Sequence, residues 1–439
     1  MLVMKFGGTS VGSAEAIRAV ASIIRERLSQ KPVVIVSAVA GTTNALLEIA
    51  KETDPAVRLK KISSLSERHK KILNDLMLDL DLLDLEFDEL NKLASSKKKA
   101  NKQTLDTYVS FGERLSSKIL AAALVRMDVN AKAYPAWEIG MLTDDNFGNA
   151  EPLATSQEAI REKIAAIKAV PVITGYIGKT EKGAITTLGR GGSDYSAALI
   201  GAALKAEAIQ IWKEVDGIMT TDPRLVPEAQ VVRELAFEEA AELAYFGAKV
   251  LHPKTILPAM KAGVPVQVLN TFKPAEQGTT IVSSFAERKE KSHSVEALTF
   301  KKGVIAIHVY SPEFFDGSGL MAKIFDTFEE FSTSVDVVST SVASISITTD
   351  SDDHLDEILP ELKKFGSVQV ERAKAVVCAV GGSVNAAGVT GRMFTVLGEN
   401  GIPVEMISQA AGGVSITFVV NESDAEKALK ILHKEYIKP

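Results

Sequence analysis

Short β-branched runs alternate with helical patterns through the first 280 or so residues of this 439-residue chain. The predicted strands lie at 2–6, 32–37, 170–174 and 208–212, and predicted helices lie at 13–30 and 193–205. Strands and helices in this order form a mostly parallel sheet with helices on both faces. The sequence therefore predicts an α/β domain over residues 1–282.

The segment 54–103 departs from this alternation. It is rich in Lys, Glu, Asp and Leu, its leucines recur at helical spacing, and it contains no strand pattern. We predict a helical insertion that lies over the main sheet. Two interpretations stay open at this point: a lid or wall of a substrate site, and a surface helical hairpin without a functional role.

The last third of the chain follows a charged, polar linker at 283–294. Its predicted elements have the order βαββαβ, which is ferredoxin-like, and the order restarts near Ala375 but stops one strand short. Because an unpaired sheet edge is unfavourable, we expect the extra strand at 295–300 to complete the second copy. This predicts two α+β domains, at 295–372 and 373–439, with the first inserted into the second.

The two copies also resemble each other in detail. GLMAKIF (319–325) in the first corresponds to GVTGRMF (388–394) in the second. A glycine before an apolar helix is a weak signal alone, but its repetition indicates paired modules that bind small molecules.

Composition excludes several classes of protein. The formal net charge of −6 argues against a nucleic-acid binder, and no apolar run of 18 residues is present to cross a membrane. The N-terminus lacks the features of a signal peptide, so we expect a cytoplasmic protein. The single cysteine, Cys378, lies in an apolar run and is interpreted as a core residue, and the six histidines show no metal-ligand spacing.

Phosphate would have to be bound by unusual glycine turns, because the chain has neither a Walker A motif nor a Gly-x-Gly-x-x-Gly after a strand. The first turn is KFGGTS (5–10), in which Gly7 and Gly8 allow backbone N–H groups to approach phosphate oxygens and Lys5 can neutralise charge. The alternative interpretation is a tight strand–helix turn with a surface lysine.

The second turn is LGRGGSDYS (188–196). Its three glycines surround Arg190, whose guanidinium suits a carboxylate, and Ser193 and Asp194 then begin a helix. Asp194 could also be only an N-terminal helix residue.

In combination, these turns closely resemble the aspartate kinase family, which has an amino-acid-kinase-type catalytic fold followed by tandem ACT domains. The other motifs that carry the resemblance are GTTN (41–44), VSFGER (109–114), NFGNAEP (146–152), VDGIMTTDPR (215–224) and FGAKVLHP (246–253). The resemblance covers essentially the whole chain, and it is to the single-function form without a dehydrogenase domain.

The resemblance implies roles for individual residues. Lys5 would contact the transferred phosphoryl group, and Asp194 would orient Lys5. The implied substrate-binding residues are Thr43, Glu113 (on the amino group), Arg190 (on the α-carboxylate) and Ser193. The implied nucleotide-binding residues are Lys5, Phe6, Gly7, Gly8, Lys213, Glu214, Met219, Arg224, Lys249 and Val250, although many relatives have Trp-Thr-Asp where this chain has 212–214. The implied effector-binding residues are Gly317, Ser318, Gly319, Val337, Val338 and Ser341.

The implied reaction is in-line transfer of phosphate from ATP to the side-chain carboxylate of L-aspartate, the first step of lysine, threonine and methionine biosynthesis. No general base is needed, and Mg²⁺ is expected on the nucleotide rather than in a protein cage. Another amino-acid kinase, acting on glutamate or acetylglutamate, and an inactive amino-acid sensor are the alternatives. The effector is expected to be lysine or threonine, with both or no effector as the alternatives. A homodimer or homotetramer is expected to form through the ACT domains.

Overall fold

The computed structural model describes residues 1–96, 100–247, 250–284, 288, 294–312, 319–410 and 412–437. Lys249, Gly317 and Ser318, all predicted binding residues, lie outside this part of the chain. The chain divides into two compact units. The first comprises Met1–Ile218, Arg233–Phe237 and Val250–Arg288, and the second comprises Met219–Val232, Glu238–Lys249 and Lys289–Pro439.

A mostly parallel sheet forms the centre of the first unit. Its strands are β1 (Leu2–Phe6), β2 (Pro32–Val36), β3 (Ala131–Tyr134), β5 (Val170–Thr174), β8 (Ala208–Lys213), β9 (Glu234–Ala236), β10 (Val266–Asn270) and β11 (Thr279–Val282). They are arranged in the order β3-β5-β2-β1-β8-β10-β11-β9, and of these neighbours β10 and β11 pair antiparallel. Every residue of β1 and β2 is buried, as expected for apolar strands covered on both faces. The predicted α/β fold is confirmed.

Helices and a smaller sheet cover this central sheet. The helices are α1 (Ala14–Glu26), α2 (Thr42–Lys51), α3 (Pro55–Asp75), α4 (Asp84–Ala94), α5 (Lys102–Arg126), α6 (Ser156–Ala165), α7 (Gly192–Leu204) and α9 (Pro253–Ala262), and the small sheet contains β4 (Leu142–Thr143), β6 (Ile177–Thr180) and β7 (Ile185–Thr187). Helix α8 (Phe237–Tyr245) belongs, apart from Phe237, to the second unit. Helix α1 begins where Ser13 Oγ accepts the Ala16 N–H. It ends four residues before the predicted end at 30, because a short 3₁₀ turn at Leu28–Gln30 leads the chain into β2.

The predicted insertion at 54–103 is helical and consists of α3, α4 and the start of α5. Arg58 on α3 is buried and links α3 to the end of α4. It donates hydrogen bonds to the carbonyl oxygens of Ala94 (3.2 Å) and Ser96 (2.6 Å). Arg68, further along α3, donates to the carbonyl oxygen of Ala40. The insertion therefore supports the loop that follows β2.

His69 gives the insertion a pH-dependent stability. It is fully buried on α3, its Nδ1–H donates to the Leu65 carbonyl, and its Nε2 has no partner among the described residues. Burial lowers the pKa of His69 from 6.5 to about 4. Because the unfolded chain binds the proton more readily, this stabilisation is complete above about pH 6.5 and is lost as the pH falls towards 4.

We expect about 2 kcal/mol of unfolding free energy to be lost through His69 between about pH 7 and pH 5. Urea denaturation of the wild type and of His69→Leu at the two pH values measures this decrease. Between pH 7 and pH 5 the free energy of unfolding should fall by about 2 kcal/mol less in the leucine variant than in the wild type. Equal pH dependence in both proteins would show that His69 does not contribute.

The second unit contains one antiparallel sheet covered by helices. Its strands are β12 (Ala297–Tyr310), β13 (Val338–Thr340), β14 (Ser344–Thr349), β15 (Ser367–Val380), β16 (Met406–Gln409) and β17 (Ser415–Asn421), in the order β13-β14-β12-β15-β17-β16. Its helices are α10 (Leu320–Glu330), α11 (Leu355–Leu362), α12 (Val389–Glu399) and α13 (Ala425–Tyr436). One apolar core lies under α10 and α11, and a second lies under α12 and α13.

Two long strands run through both halves of this sheet. The strands predicted at 295–300 and 304–310 are one strand, β12, and those predicted at 368–370 and 375–380 are likewise one strand, β15. The two pair over their whole length, with register shifts between Lys302 and Ala306. Residues 297–302 thus lie beside 375–380, where the second copy lacked a strand.

The predicted catalytic domain over 1–282 is not one compact unit. The segments Met219–Val232 and Glu238–Lys249 belong to the second unit, because hydrogen bonds hold them there. The Leu298 N–H donates to the Thr220 carbonyl (2.7 Å), and Thr299 Oγ1 donates to the Phe246 carbonyl (3.1 Å). Across the described residues, none of the helices has the length and apolar character needed to span a membrane.

Candidate active site

The ends of two neighbouring strands place two lysines on either side of one carboxylate. Lys5 lies in β1, Lys213 ends the adjacent β8, and Asp194 lies in the first turn of α7. Lys5 Nζ is 2.6 Å from Asp194 Oδ1, and Lys213 Nζ is 3.0 Å from Asp194 Oδ2. Lys213 Nζ also donates to the Val250 carbonyl. Each carboxylate oxygen of Asp194 therefore holds one ammonium group.

The electrostatics of this triad follow from its burial. Burial alone would raise the pKa of Asp194, but the adjacent charges of Lys5 and Lys213 outweigh it, so the pKa is lowered. Burial lowers the pKa of Lys5, and the charge of Asp194 opposes that effect. With Asp194 ionised, two ammonium groups around one carboxylate leave a net positive site, which suits phosphate oxygens.

Glu113 is the second buried acid of the site. It lies on α5, and its Oε1 accepts the Ala38 N–H at 3.2 Å. Its Oε2 is buried and has no hydrogen-bond partner in the described part of the chain. Burial raises the pKa of Glu113 to about 8, against the effect of the Ala38 hydrogen bond. A buried carboxylate oxygen without a partner is suited to accept a ligand ammonium.

Lys5, Asp194 and Glu113 line one cavity of about 570 Å³ in the first unit, whereas Lys213 does not line it. Seven of the predicted residues lie in its wall: Lys5, Gly8, Thr43, Glu113, Arg190, Ser193 and Asp194. The side chain of Arg190 is exposed, whereas Ser193 and Asp194 are buried. The wall therefore combines a buried carboxyl group, an exposed guanidinium and a buried ion pair.

Glycines bring backbone close to this cavity. A Cβ on Gly8 would lie 2.9 Å from the Ala38 carbonyl oxygen, so only glycine fits between β1 and the loop after β2. Gly191 has a φ of 70° and precedes α7, and a Cβ on Gly192 would lie 2.5 Å from the ring of Tyr176. The N-terminus of α7 is thus exposed to the cavity by glycines, as an anion site requires.

Several predicted nucleotide-binding residues lie elsewhere. Phe6 is fully buried and stacks on Trp212 at 5.9 Å, and the Gly7 N–H already donates to the Trp212 carbonyl. Glu214 is exposed and does not line the cavity. Met219 and Arg224 belong to the second unit, where Arg224 pairs with Asp222 at 2.6 Å. These nucleotide assignments remain predictions.

The cavity wall also contains residues that the sequence did not identify. Tyr176 follows β5 and has a φ of 68°, unusual for a residue other than glycine. Gly148 lies within NFGNAEP, a motif noted in the sequence without a role. The position of Tyr176 directly after a parallel strand was an available signal, since ligands bind beyond the carboxyl ends of such strands.

The predicted effector residues that are described lie around α10 and β13. Gly319 precedes α10 with a φ of 105°. The buried Val337 donates its N–H to Thr348 Oγ1 at 2.9 Å, and Val338 begins β13. Ser341 is exposed and hydrogen-bonds Ser344 at 2.7 Å. Val337, Val338 and Ser341 thus lie in or beside β13, the edge strand of the sheet, whereas Gly319 lies at the start of a helix.

The donor set around the cavity does not fit a metal held by the protein alone. No group of three or more His, Cys, Asp or Glu residues that could hold a metal ion occurs in the described residues. Both oxygens of Asp194 are engaged by lysines.

Comparison with family models defines the class. Residues 1–270 match the model described as the amino acid kinase family, and residues 377–436 match the model of an ACT domain. Together with the parallel sheet and the ferredoxin-like repeats, these matches define an amino acid kinase catalytic domain followed by ACT-type domains.

Known proteins narrow the class further. The chain is 38% identical over 456 residues to aspartokinase 1, chloroplastic, of Arabidopsis thaliana, covering 99% of this chain and 80% of that one. It superposes on Escherichia coli aspartokinase III in complex with aspartate and ADP (R-state) with a TM-score of 0.83, 33% identity and full coverage of both chains. The complex of that enzyme with lysine and aspartate (T-state) gives a TM-score of 0.80 at 34% identity, again with full coverage. The chain belongs to the aspartokinase family, which confirms the family predicted from its motifs.

Proposed function

We propose that this chain transfers the γ-phosphoryl group of ATP to the side-chain carboxylate of L-aspartate, forming 4-phospho-L-aspartate and ADP. The observation that carries the proposal is the single cavity in which Glu113, Arg190 and the Lys5–Asp194 pair come together. The related Escherichia coli enzyme was solved with aspartate and ADP, which supports the same choice of ligands.

Each polar group of aspartate has a complement in the cavity. The ammonium pairs with the free Oε2 of Glu113, and this ionises a carboxyl group that is otherwise largely protonated at neutral pH. The α-carboxylate pairs with the guanidinium of Arg190, with Thr43 and Ser193 in the same wall. The side-chain carboxylate is then directed towards the buried ammonium of Lys5.

Transfer follows from this alignment. A side-chain oxygen of aspartate forms a bond to the γ-phosphorus while the bond to the β–γ bridging oxygen breaks, and ADP leaves with that electron pair. The attacking carboxylate carries no proton, so no general base is required. Lys5 stabilises the charge on the phosphoryl oxygens, and Asp194 fixes its position. Magnesium enters with the nucleotide as MgATP, since Lys213 and Lys5 occupy the carboxylate that would otherwise bind it.

Turnover of ATP with different acceptors tests this proposal directly. We expect ADP and a hydroxylamine-reactive acyl phosphate with aspartate, and much less product with glutamate or without an acceptor. Faster turnover with glutamate or acetylglutamate would identify another amino-acid kinase. Binding of amino acids without any turnover would identify a sensor.

Regulation is a second part of the proposal. The ACT-type domain and the lysine complex of the Escherichia coli relative support an amino-acid effector that binds near Gly319, Val337, Val338 and Ser341. We place the enzyme at the first step of lysine, threonine and methionine biosynthesis, in the cytoplasm, as a homodimer or homotetramer. Lysine and threonine are the two candidate effectors.

Substitution of Ser341 by tyrosine is expected to relieve inhibition while leaving uninhibited kcat unchanged. Ser341 is exposed beside Ser344, so a bulky ring can be accommodated by the fold but occupies the space of an effector. Assays with lysine, threonine and both together measure the loss of inhibition. The coupling free energy between the effector site and the active site, about 1–3 kcal/mol, sets the size of the expected change. The matched Ser351→Tyr variant should remain inhibited. Unchanged inhibition of Ser341→Tyr would remove this residue from the effector site.

A further inference from the structure

Asp106 is a buried carboxylate close to the cavity but not in its wall. It lies on α5, and its side chain accepts three hydrogen bonds. Oδ2 accepts the N–H of Gly148 at 2.9 Å and the N–H of Thr187 at 3.0 Å, and Oδ1 accepts the Thr187 hydroxyl at 2.9 Å. One side chain on the helix therefore holds two separate segments of the chain.

Both segments lead directly into the cavity wall. Gly148 itself lines the cavity, and Thr187 ends β7 just before Gly189 and Arg190, which also line it. The two segments are joined to each other as well, because the Ala150 N–H donates to the Thr187 carbonyl at 2.8 Å. Contact between them is so close that a Cβ on Gly189 would lie 2.4 Å from Asn149 Oδ1. The segments around Gly148 and Thr187 therefore pack against each other as one unit.

The same helix carries Glu113, seven residues after Asp106. Residues seven apart lie on one face of a helix, two turns from each other. Glu113 thus projects from α5 at one point, and Asp106 holds the Arg190 segment to α5 at another. The helix and this segment carry the two groups that, in the proposed function, bind the ammonium and the α-carboxylate of the substrate.

A purely structural explanation accounts poorly for a charged residue at this position. Burial raises the pKa of Asp106, and among the described residues the groups that oppose this effect are its hydrogen-bond donors, Gly148 and Thr187, rather than a lysine, arginine or histidine. A buried anion without a cation is unfavourable unless its hydrogen bonds are needed. All three of its bonds go to the segments that frame the cavity.

We propose that Asp106 is a positioning residue that fixes the separation between the ammonium site at Glu113 and the carboxylate site at Arg190. The ammonium and the α-carboxylate are both attached to the α-carbon, so the two sites together fix where that carbon lies and how far the side-chain carboxylate reaches towards Lys5. Asp106 therefore contributes to the selection of aspartate over glutamate, which is longer by one methylene. The proposal rests on the proposed function and names a determinant of its specificity.

The Asp106→Asn variant tests the proposal with little change in volume. Whichever way its amide is oriented, the asparagine cannot accept all three hydrogen bonds, because one of its two polar groups is a donor. We expect KM for aspartate to rise by about tenfold or more, while KM for ATP stays within about twofold. The ratio of kcat/KM for aspartate to that for glutamate should fall.

Glu86→Gln is the matched control. Glu86 is also a buried carboxylate of the first unit, it pairs with Lys118 at 2.7 Å, and it does not line the cavity. Loss of the Glu86 charge should lower the melting temperature without changing KM for aspartate or KM for ATP. A selective effect of Asp106→Asn on aspartate, absent from this control, separates positioning from general destabilisation.

Thr187→Val keeps the test decisive if Asp106→Asn does not fold. It removes only the hydroxyl that donates to Asp106 and should raise KM for aspartate several-fold in the same selective way. Unchanged aspartate KM and unchanged discrimination against glutamate in the folded variants would overturn the proposal. Absence of aspartate turnover in the wild type would instead overturn the proposed function, so the two failures are distinguishable.

Discussion

The Lys5→Met variant is expected to lower kcat for phosphoryl transfer by a factor of about 10²–10³, with KM for ATP changed only a few-fold. Lys5 is buried, and its ammonium lies 2.6 Å from Asp194 Oδ1, so it is fixed before the substrate binds. A fixed charge of this kind stabilises the transition state more than the ground state. Methionine retains much of the side-chain volume, so the change removes mainly the charge.

Steady-state kinetics with saturating aspartate measure this effect. Thermal denaturation of the same variant is the control for folding, because Asp194 keeps Lys213 as its partner and the remaining pair is balanced in charge. The variant should retain most of its thermal stability while losing activity. If Lys5→Met weakens only ATP binding, Lys5 is a ground-state contact, and Lys213 becomes the candidate for the catalytic charge.

The Glu113→Gln variant is expected to raise KM for aspartate by a factor of about 30–1,000, which corresponds to about 2–4 kcal/mol. The substrate ammonium loses the only buried anion of the cavity wall that is free to receive it, since both oxygens of Asp194 hold lysines and the described wall contains no other carboxylate. KM for ATP should be unchanged. Kinetics with wild-type-like aspartate KM would remove Glu113 from the substrate site.

The pH dependence of the same variant provides an independent readout. Below about pH 8 the buried carboxyl of Glu113 in the free enzyme is increasingly protonated, and a neutral acid attracts an ammonium weakly. In the wild type, kcat/KM for aspartate should therefore rise with pH, with its midpoint near 8 and a plateau above it, whereas Glu113→Gln should lose this rise. Glu151→Gln, which affects a partly exposed acid outside this cavity, should keep it.

The catalytic sheet was predictable because its central strands are buried on both faces. Such strands are continuous apolar runs, and β1, β5 and β8 were placed to within one residue. The order of the strands in the sheet, in contrast, cannot be predicted from such local apolar runs. The pairing of Lys213 with Asp194 depends on β8 lying next to β1, so the sequence could suggest Lys213 for a nucleotide site but not for the ion pair with Asp194.

The regulatory half shows a different limit of sequence reasoning. Lys301, Lys302 and Gly303 interrupt the apolar pattern and favour a break between two strands. In the fold they lie within one strand, where the ladder shifts register, so β12 continues through them. Likewise, the free Oε2 of Glu113 results from tertiary packing, which no local pattern encodes.

The two long strands also affect how the chain can acquire its structure during synthesis. Residues 297–302 of β12 leave the ribosome early, but their partners at 375–380 follow 73 to 83 residues later, and those in turn pair with 415–420. The half that contains β13 and β14 comes from the contiguous segment 304–371, so it can form as it emerges. The other half needs residues 297–302 together with 375–380 and 415–420, so it is completed only when the last strands have emerged, after the residues of the catalytic cavity have already been translated.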